Sequence, residues 1–160
     1  MPMQPDELWM EEALRLAQRS LAAGEVPVGA LIVREGEIVG RGWNQTITTC
    51  DPSAHAEIVA LREAGAALGN YRLVDCDVYV TLEPCAMCAG ALLNARIRRL
   101  VVGALDPKAG AAGSVLTVIN HPRLNHRMQF TSGVLAGRCM EMLQAFFRER
   151  RGMDARESQG

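Results

Sequence analysis

Residues 81–90 are TLEPCAMCAG, where a β-prone stretch ends at a proline and two cysteines follow, three positions apart. A strand is predicted for CDVYVTL just before the proline, and Pro84 is typical of the start of a helix, here CAMCAGALLNA. Residues i and i+3 lie on one side of a helical turn, and the N-terminal dipole favours thiolates there. Cys85 and Cys88 could therefore form a redox pair or provide two metal ligands.

A His-x-Glu motif lies upstream in SAHAEIVAL and favours the metal site, because thiol redox chemistry has no need of it. The imidazole of His55 and two thiolates would neutralise Zn²⁺ and leave the fourth tetrahedral position open for water, which is typical of a catalytic site. Glu57 could then act as a general acid–base. Since residues i and i+2 diverge inside a helix, His55 and Glu57 can converge only at its first turn.

The remaining sequence predicts alternating helices and strands. A hairpin turns at Glu35-Gly36 in VGALIVREGEIVGRGWN, a helix should run from an N-cap at Asp6, and RRLVVGAL and MQFT are further strand candidates. This order predicts a three-layer α/β/α domain with a central mixed five-stranded sheet. We expect a single domain over residues 1–151 and a disordered tail over residues 152–160.

Charge is distributed unevenly along the 160 residues, although the net charge is only −1. Residues 1–95 contain 6 Arg and 13 Asp or Glu, a net of −7, whereas residues 96–151 have a net of +7. A basic half could contact nucleic acid, or the two halves could form solvated faces of opposite sign.

The cysteine content and the apolar runs bear on location. Five cysteines, no signal peptide and no apolar run of about 18 residues predict a cytoplasmic chain with reduced thiols and no membrane span.

The combination of H-x-E with P-C-x-x-C is a known signature of zinc nucleobase deaminases. Several other stretches extend the match. The chain resembles the bacterial tRNA-specific adenosine deaminases of the TadA type from about residue 8 to residue 151, in GWNQ, DPSAHAEIVALR, NYRL, YVTLEPCAMCAGAL, VVGALDPKAGAAGS, HPRLNHR and FFRERR. The resemblance implies a cytidine-deaminase-like fold, a homodimer and one Zn²⁺ per subunit.

The resemblance further implies deamination of adenosine to inosine at the wobble position of a tRNA anticodon stem-loop, that of an arginine tRNA. It implies that the zinc ligands are His55, Cys85 and Cys88, with Glu57 as the proton shuttle. Asn44 would contact the flipped nucleoside and Asp106 its ribose. The positions implied to lie near RNA on the C-terminal helix are Phe146, Phe147 and Arg148.

Two alternatives stay open at this point. A deaminase of a free nucleobase or nucleotide, of the guanine or cytidylate type, would share the same zinc chemistry. An RNA-binding or scaffold module could instead use zinc only for stability, although no fourth protein ligand is apparent. Leu105 and Pro107 differ from some relatives and bear on RNA contacts rather than on the chemistry.

Overall fold

A five-stranded sheet lies between two layers of helices in the computed structural model, which describes residues 5–158. The elements in chain order are α1 (Pro5–Ala22), β1 (Gly29–Arg34), β2 (Glu37–Trp43), α2 (Ala56–Leu68), β3 (Asp77–Leu82), α3 (Ala86–Asn94), β4 (Arg99–Ala104), β5 (Gln129–Thr131) and α4 (Ala136–Ser158). Among the described residues, no helix combines the length and apolar character that crossing a bilayer would require.

The strand order is β2-β1-β3-β4-β5, and the sheet is mixed. β1 pairs antiparallel with both β2 and β3, whereas β3, β4 and β5 run parallel. The predicted mixed sheet is therefore confirmed. Because parallel strands bring their carboxyl ends to one edge, the segments that follow β3 and β4 meet there.

Alternating strand residues build the two sides of the core. Side chains on one face pack with α1 and the start of α4, and they are Leu31, Val33, Tyr79 and Val101. Those on the other face pack with α2 and α3, and they include Ile32, Val78, Val80, Leu100 and Val102. This period of two along each strand explains the three layers, because both faces of the sheet are covered by helices.

Gly42 brings the start of α2 unusually close to the sheet. A Cβ atom built at this position would lie 2.2 Å from the carbonyl oxygen of Ala56 and 2.6 Å from the amide nitrogen of Ala60. No larger residue fits between β2 and the helix without displacing backbone. Gly42, the glycine in GWN, thus sets the distance between the sheet and the start of α2, where the His-x-Glu motif lies.

The two ends of the described chain differ from the sequence-based prediction. α1 begins at Pro5, so Asp6 lies inside its first turn and its carboxylate binds side chains of the sheet instead of acting as an N-cap. α4 continues to Ser158, although residues 152–158 were predicted to belong to a disordered tail. No proline interrupts this segment, and its helix-forming residues extend the helix with little tertiary packing. Residues 159 and 160 lie outside the described residues.

Asp6 connects α1 to the sheet by hydrogen bonds on the side away from the carboxyl ends of β3 and β4. Its Oδ2 accepts a hydrogen bond from Nη2 of Arg99 at 2.6 Å, and its Oδ1 accepts from Nη1 of Arg99 and from the Tyr79 hydroxyl, each at 2.9 Å. The Arg99 guanidinium holds the pKa of Asp6 below its ordinary value, and the Tyr79 hydrogen bond contributes to the same shift.

We expect Asp6→Asn to lower the free energy of unfolding by about 1–2 kcal/mol at pH 7, because it replaces charge-assisted hydrogen bonds by neutral ones. A folded-state pKa below the unfolded one gives stability that is present above the unfolded pKa and disappears as the pH falls through the folded pKa. The difference between wild type and variant should therefore be constant from about pH 7 to 5 and shrink below about pH 4.

Urea unfolding followed by circular dichroism from pH 7 to pH 3 measures this difference. Asp154→Asn is the control, since Asp154 is exposed on α4, and it should change stability by less than about 0.5 kcal/mol. A gap between wild type and Asp6→Asn that widens on acidification would contradict the assignment.

Candidate active site

Three metal-donor side chains come together from two helix N-termini. His55 is the N-cap residue of α2, and Cys85 is the N-cap residue of α3, each with extended backbone. Cys88 lies one turn later, in the first turn of α3. The N-cap position is what allows His55 to turn toward the same space as residues of the following helical turn.

The donor atoms have the spacing of a tetrahedral zinc site. Nδ1 of His55 lies 3.5 Å from Sγ of Cys85 and 3.5 Å from Sγ of Cys88, and all three atoms lie within 4.8 Å of one another. Zinc bonds of about 2.0–2.3 Å at tetrahedral angles place nitrogen and sulfur ligands about 3.5 Å apart. The imidazole and the two thiols therefore fit zinc in both chemistry and distance.

The pKa values of the two thiols are shifted in opposite directions. Hydrogen bonds from Cys88 and His55 lower the pKa of Cys85 to about 3. The hydrogen bond to Cys85, together with burial, raises the pKa of Cys88 above its ordinary value. Metal binding to both sulfurs as thiolates would therefore release a proton from Cys88.

Glu57 lies next to these donors with its side chain almost completely buried, at 4% relative exposure. It occupies the first turn of α2, where the sequence analysis placed it. Burial raises the pKa of its carboxyl group to about 7, against a smaller opposing effect of a hydrogen bond from its own backbone N–H. A carboxyl group with that pKa can both accept and donate a proton near neutral pH.

A cavity of about 220 Å³ opens beside these groups. Its walls come from the end of β3, the start of α2 and the segments after β2 and β4. The lining residues are Val26, Val28, Asn44, His55, Ala56, Glu57, Leu82, Glu83, Cys85, Asp106 and Ala109. A single concave site therefore contains the donor atoms, the buried carboxyl group and two further polar residues that the sequence singled out.

Asn44 offers this cavity an unused acceptor. Its Nδ2 lies 3.4 Å from the carbonyl oxygen of Val26 and donates to it. Its Oδ1 is buried and has no hydrogen-bond partner among residues 5–158. Since buried polar atoms are nearly always paired, this oxygen is a place where a ligand donor would bind.

Asp106 also lines the cavity and is held by its own turn. Its Oδ1 accepts hydrogen bonds from the backbone nitrogens of Lys108 and Ala109, at 2.9 and 3.2 Å. This turn fixes the backbone after β4, so that Ala109 also lines the cavity.

The aromatic residues predicted to lie near RNA do not line this cavity. Phe146 and Phe147 stack edge to face on α4, with ring centroids 5.4 Å apart, and Phe147 is 44% exposed. Arg148 follows them on the exposed side of the helix. The structure instead adds Glu83 to the lining. Its sequence signal was an acidic residue directly between a buried strand and Pro84.

We expect Cys85→Ser to lose bound zinc, because a serine hydroxyl is a poor substitute for a thiolate ligand. The melting temperature should fall by at least about 5 °C, since metal binding and folding are coupled. Zinc per chain by inductively coupled plasma mass spectrometry, and thermal melts with and without a chelator, measure both effects.

Cys50→Ser is the matched control, because Cys50 is an exposed thiol outside the donor cluster. It should keep one zinc ion per chain. Full zinc occupancy in Cys85→Ser would contradict the ligand assignment.

Comparisons with known proteins agree with this site. Residues 3–104 match the family model of the cytidine and deoxycytidylate deaminase zinc-binding region. The tRNA-specific adenosine deaminase of Haemophilus influenzae is 51% identical over 147 residues, covering 91% of this chain and 85% of that protein.

Two solved structures share the fold. One, from work on A-to-I editing by tRNA:A34 deaminases at the wobble position, has a TM-score of 0.82 at 44% identity and covers 85% of this chain and 99% of its own. The guanine deaminase of Nitrosomonas europaea has a TM-score of 0.78 at 25% identity, covering 91% and 86%. A zinc-binding family model and a fitting donor set give one zinc ion per chain. This chain belongs to the tRNA-specific adenosine deaminases of the zinc-dependent cytidine deaminase superfamily.

Proposed function

We propose that this enzyme hydrolyses adenosine to inosine and ammonia at the wobble position of a tRNA anticodon loop. The observation that carries the proposal is the buried Glu57 carboxyl group in the same cavity as the His55, Cys85 and Cys88 donor atoms. A site that served only to stabilise the fold would not need a buried proton-transfer group beside an open coordination position.

The proton transfers are assigned to one carboxyl group. When bound, zinc supplies a water molecule of lowered pKa as the nucleophile. Glu57 would accept the first proton of the attacking water at a carboxylate oxygen and deliver it to the ring nitrogen next to the amine-bearing carbon. It would then accept the second proton from the hydroxyl added to that carbon and deliver it to the amine, which departs as ammonia while the carbonyl forms. Its raised pKa suits this work, because the group must be basic in one step and acidic in the next.

Asn44 and Asp106 are proposed to position the nucleoside. The unpaired Oδ1 of Asn44 is an acceptor and would bind an N–H or hydroxyl donor of the substrate. Asp106 lines the same cavity, and the family resemblance assigns it to the ribose. The apolar side chains of Val26 and Val28 would contact the base and exclude water from it.

An unpaired loop is a suitable source of the reacting base. Flipping a nucleotide out of a single-stranded loop costs only a few kcal/mol. The region from residue 96 to residue 151 has a net charge of +7, which favours phosphate contacts. We assign RNA contacts on α4 to Phe146, Phe147 and Arg148. We propose the anticodon stem-loop of an arginine tRNA as the substrate.

The assembly and location of the enzyme follow the same resemblance. We propose a homodimer in the cytoplasm, where tRNA is available and the five free cysteines stay reduced. We also propose that a single deaminase domain covers residues 1–151, with the end of α4 as an appendage.

The substrate class is tested with an anticodon stem-loop that has adenosine at the wobble position. We expect inosine to form on this RNA, with turnover of free adenosine, free cytidine and guanine at least about 10³-fold less efficient, because remote RNA contacts position the base. Comparable turnover of a free base, guanine in particular, would move the enzyme to another branch of the superfamily. Inactivity on all four substrates with zinc bound would favour the scaffold alternative.

We expect Glu57→Gln to keep one zinc ion per chain and a wild-type melting profile, because the amide occupies nearly the same volume. Turnover of the stem-loop should fall about 10²- to 10⁴-fold, the usual contribution of general acid–base catalysis. Single-turnover rates and zinc content measure the two effects separately. Loss of zinc in this variant would instead assign Glu57 to the metal site.

A further inference from the structure

Glu83 is a second buried carboxylate at the cavity, and the chemistry above makes no use of it. It lies between the end of β3 and Cys85, and only 2% of its surface is exposed. An ionised carboxylate in such a place must be compensated by hydrogen bonds, or its burial would be prohibitively unfavourable. Its partners therefore show what it does.

Among the described residues, the donors to the Glu83 carboxylate all come from one segment, residues 105–114, which we call the 105–114 loop. Oε1 accepts from the backbone nitrogen of Asp106 at 2.9 Å and from the Ser114 hydroxyl. Oε2 accepts from the backbone nitrogens of Ala112 at 2.9 Å and Ser114 at 3.2 Å. Each oxygen has two donors, an arrangement that a carboxylate satisfies and a carboxamide cannot.

The backbone of the 105–114 loop is shaped around this carboxylate. A Cβ atom built on Gly110 would lie 2.4 Å from both the carboxyl carbon and Oε1 of Glu83. The backbone nitrogen of Ala111 also donates to the carbonyl oxygen of Pro84 at 2.8 Å. The loop is thus fastened to the two residues that directly precede Cys85.

This attachment fixes one wall of the cavity relative to the metal donors. Asp106 and Ala109 belong to the 105–114 loop and line the cavity together with Cys85. Within this loop only Ala111 is a fully buried apolar residue of the core, with Ala112 packed against it, whereas Leu105 is 47% exposed. Apolar packing of the loop therefore rests on two small side chains, and the four hydrogen bonds to the Glu83 carboxylate are its main polar attachment.

We propose that Glu83 is a positioning residue that organises the 105–114 loop for RNA before the RNA binds. The inference rests on the proposed function, because it assumes that Asp106, which lines the cavity, contacts the substrate. A loop that is already in place loses less conformational entropy on binding, so its order contributes directly to affinity. Glu83 itself touches the loop rather than the reacting atoms.

The first test is Glu83→Gln with the anticodon stem-loop as substrate. We expect KM to rise about tenfold to a hundredfold, as a misplaced binding wall would cause, while kcat changes less than about threefold. Zinc should stay at one ion per chain. A change that only destabilises the fold lowers the active fraction, and with it the apparent kcat, but leaves KM unchanged.

Asp6→Asn is the matched control, because it makes the same carboxylate-to-amide change at the opposite edge of the sheet. It should lower thermal stability without changing KM. Binding is measured independently by fluorescence anisotropy of a labelled stem-loop in the inactive Glu57→Gln background. There, adding Glu83→Gln should raise Kd by the same factor as it raises KM.

A double-mutant cycle with Asp106→Ala tests whether Glu83 acts through the loop. If it does, Glu83→Gln should raise Kd less than about threefold once Asp106 is truncated, because coupled residues are not additive. Amide hydrogen exchange of the free protein should show faster exchange in the 105–114 loop of Glu83→Gln. Full additivity in the cycle would overturn the proposal.

An unchanged KM in folded, zinc-loaded Glu83→Gln would also overturn the proposal, whatever happens to hydrogen exchange. Should that variant not fold, Ser114→Ala decides, since it removes one donor to Oε1 and leaves the backbone intact. A raised KM in Ser114→Ala supports the proposal, and a wild-type KM refutes it. Wild-type protein inactive on the stem-loop would be a failure of the proposed function, and hydrogen exchange would still show whether Glu83 orders the loop.

Discussion

The site depends on one constraint: two helices must begin at the same point above the sheet. His55 and Cys85 are both N-cap residues, so each lies where the backbone changes from extended to helical. β3 leads directly to the start of α3, and Gly42 allows α2 to approach the sheet closely. The donor atoms meet within 4.8 Å because these two packing relations set the positions of the helices before any metal is involved.

Two buried carboxylates hold the loops around the metal-donor atoms in place through hydrogen bonds. Glu25 is fully buried and accepts hydrogen bonds from the backbone nitrogens of Ile47 and Thr48, at 3.1 and 2.7 Å. Glu83 does the same for the segment after β4. In both, burial raises the pKa of the carboxyl group, but the hydrogen bonds outweigh it and leave the pKa below its ordinary value. Both groups stay ionised near neutral pH, whereas Glu57, with fewer compensating donors, is shifted in the opposite direction.

Local signals in the sequence predicted the fold well, and non-local contacts account for what was missed. The Glu35-Gly36 turn depends on nearby residues and occurs as expected, between β1 and β2. Asp6 binds Arg99, far away in sequence, so its role was not visible from its helix. Glu83 was missed for the same reason, since its partners follow another strand. The motif located the metal donors, but only the structure showed that Asn44 Oδ1 has no hydrogen-bond partner in the described part of the chain.

The residues proposed for chemistry and those proposed for recognition consequently belong to different parts of the molecule. The metal donors and Glu57 belong to helix starts packed against the core, where a shift of one residue would disturb the sheet itself. The proposed base contacts come partly from the segment before β1, with Val26 and Val28, and partly from the segments after β2 and β4, which are held by hydrogen bonds to single carboxylates. These segments can change sequence without moving the zinc site. The guanine deaminase of Nitrosomonas europaea shares this fold at 25% identity, and one fold can host different substrates because function depends on the site built on it.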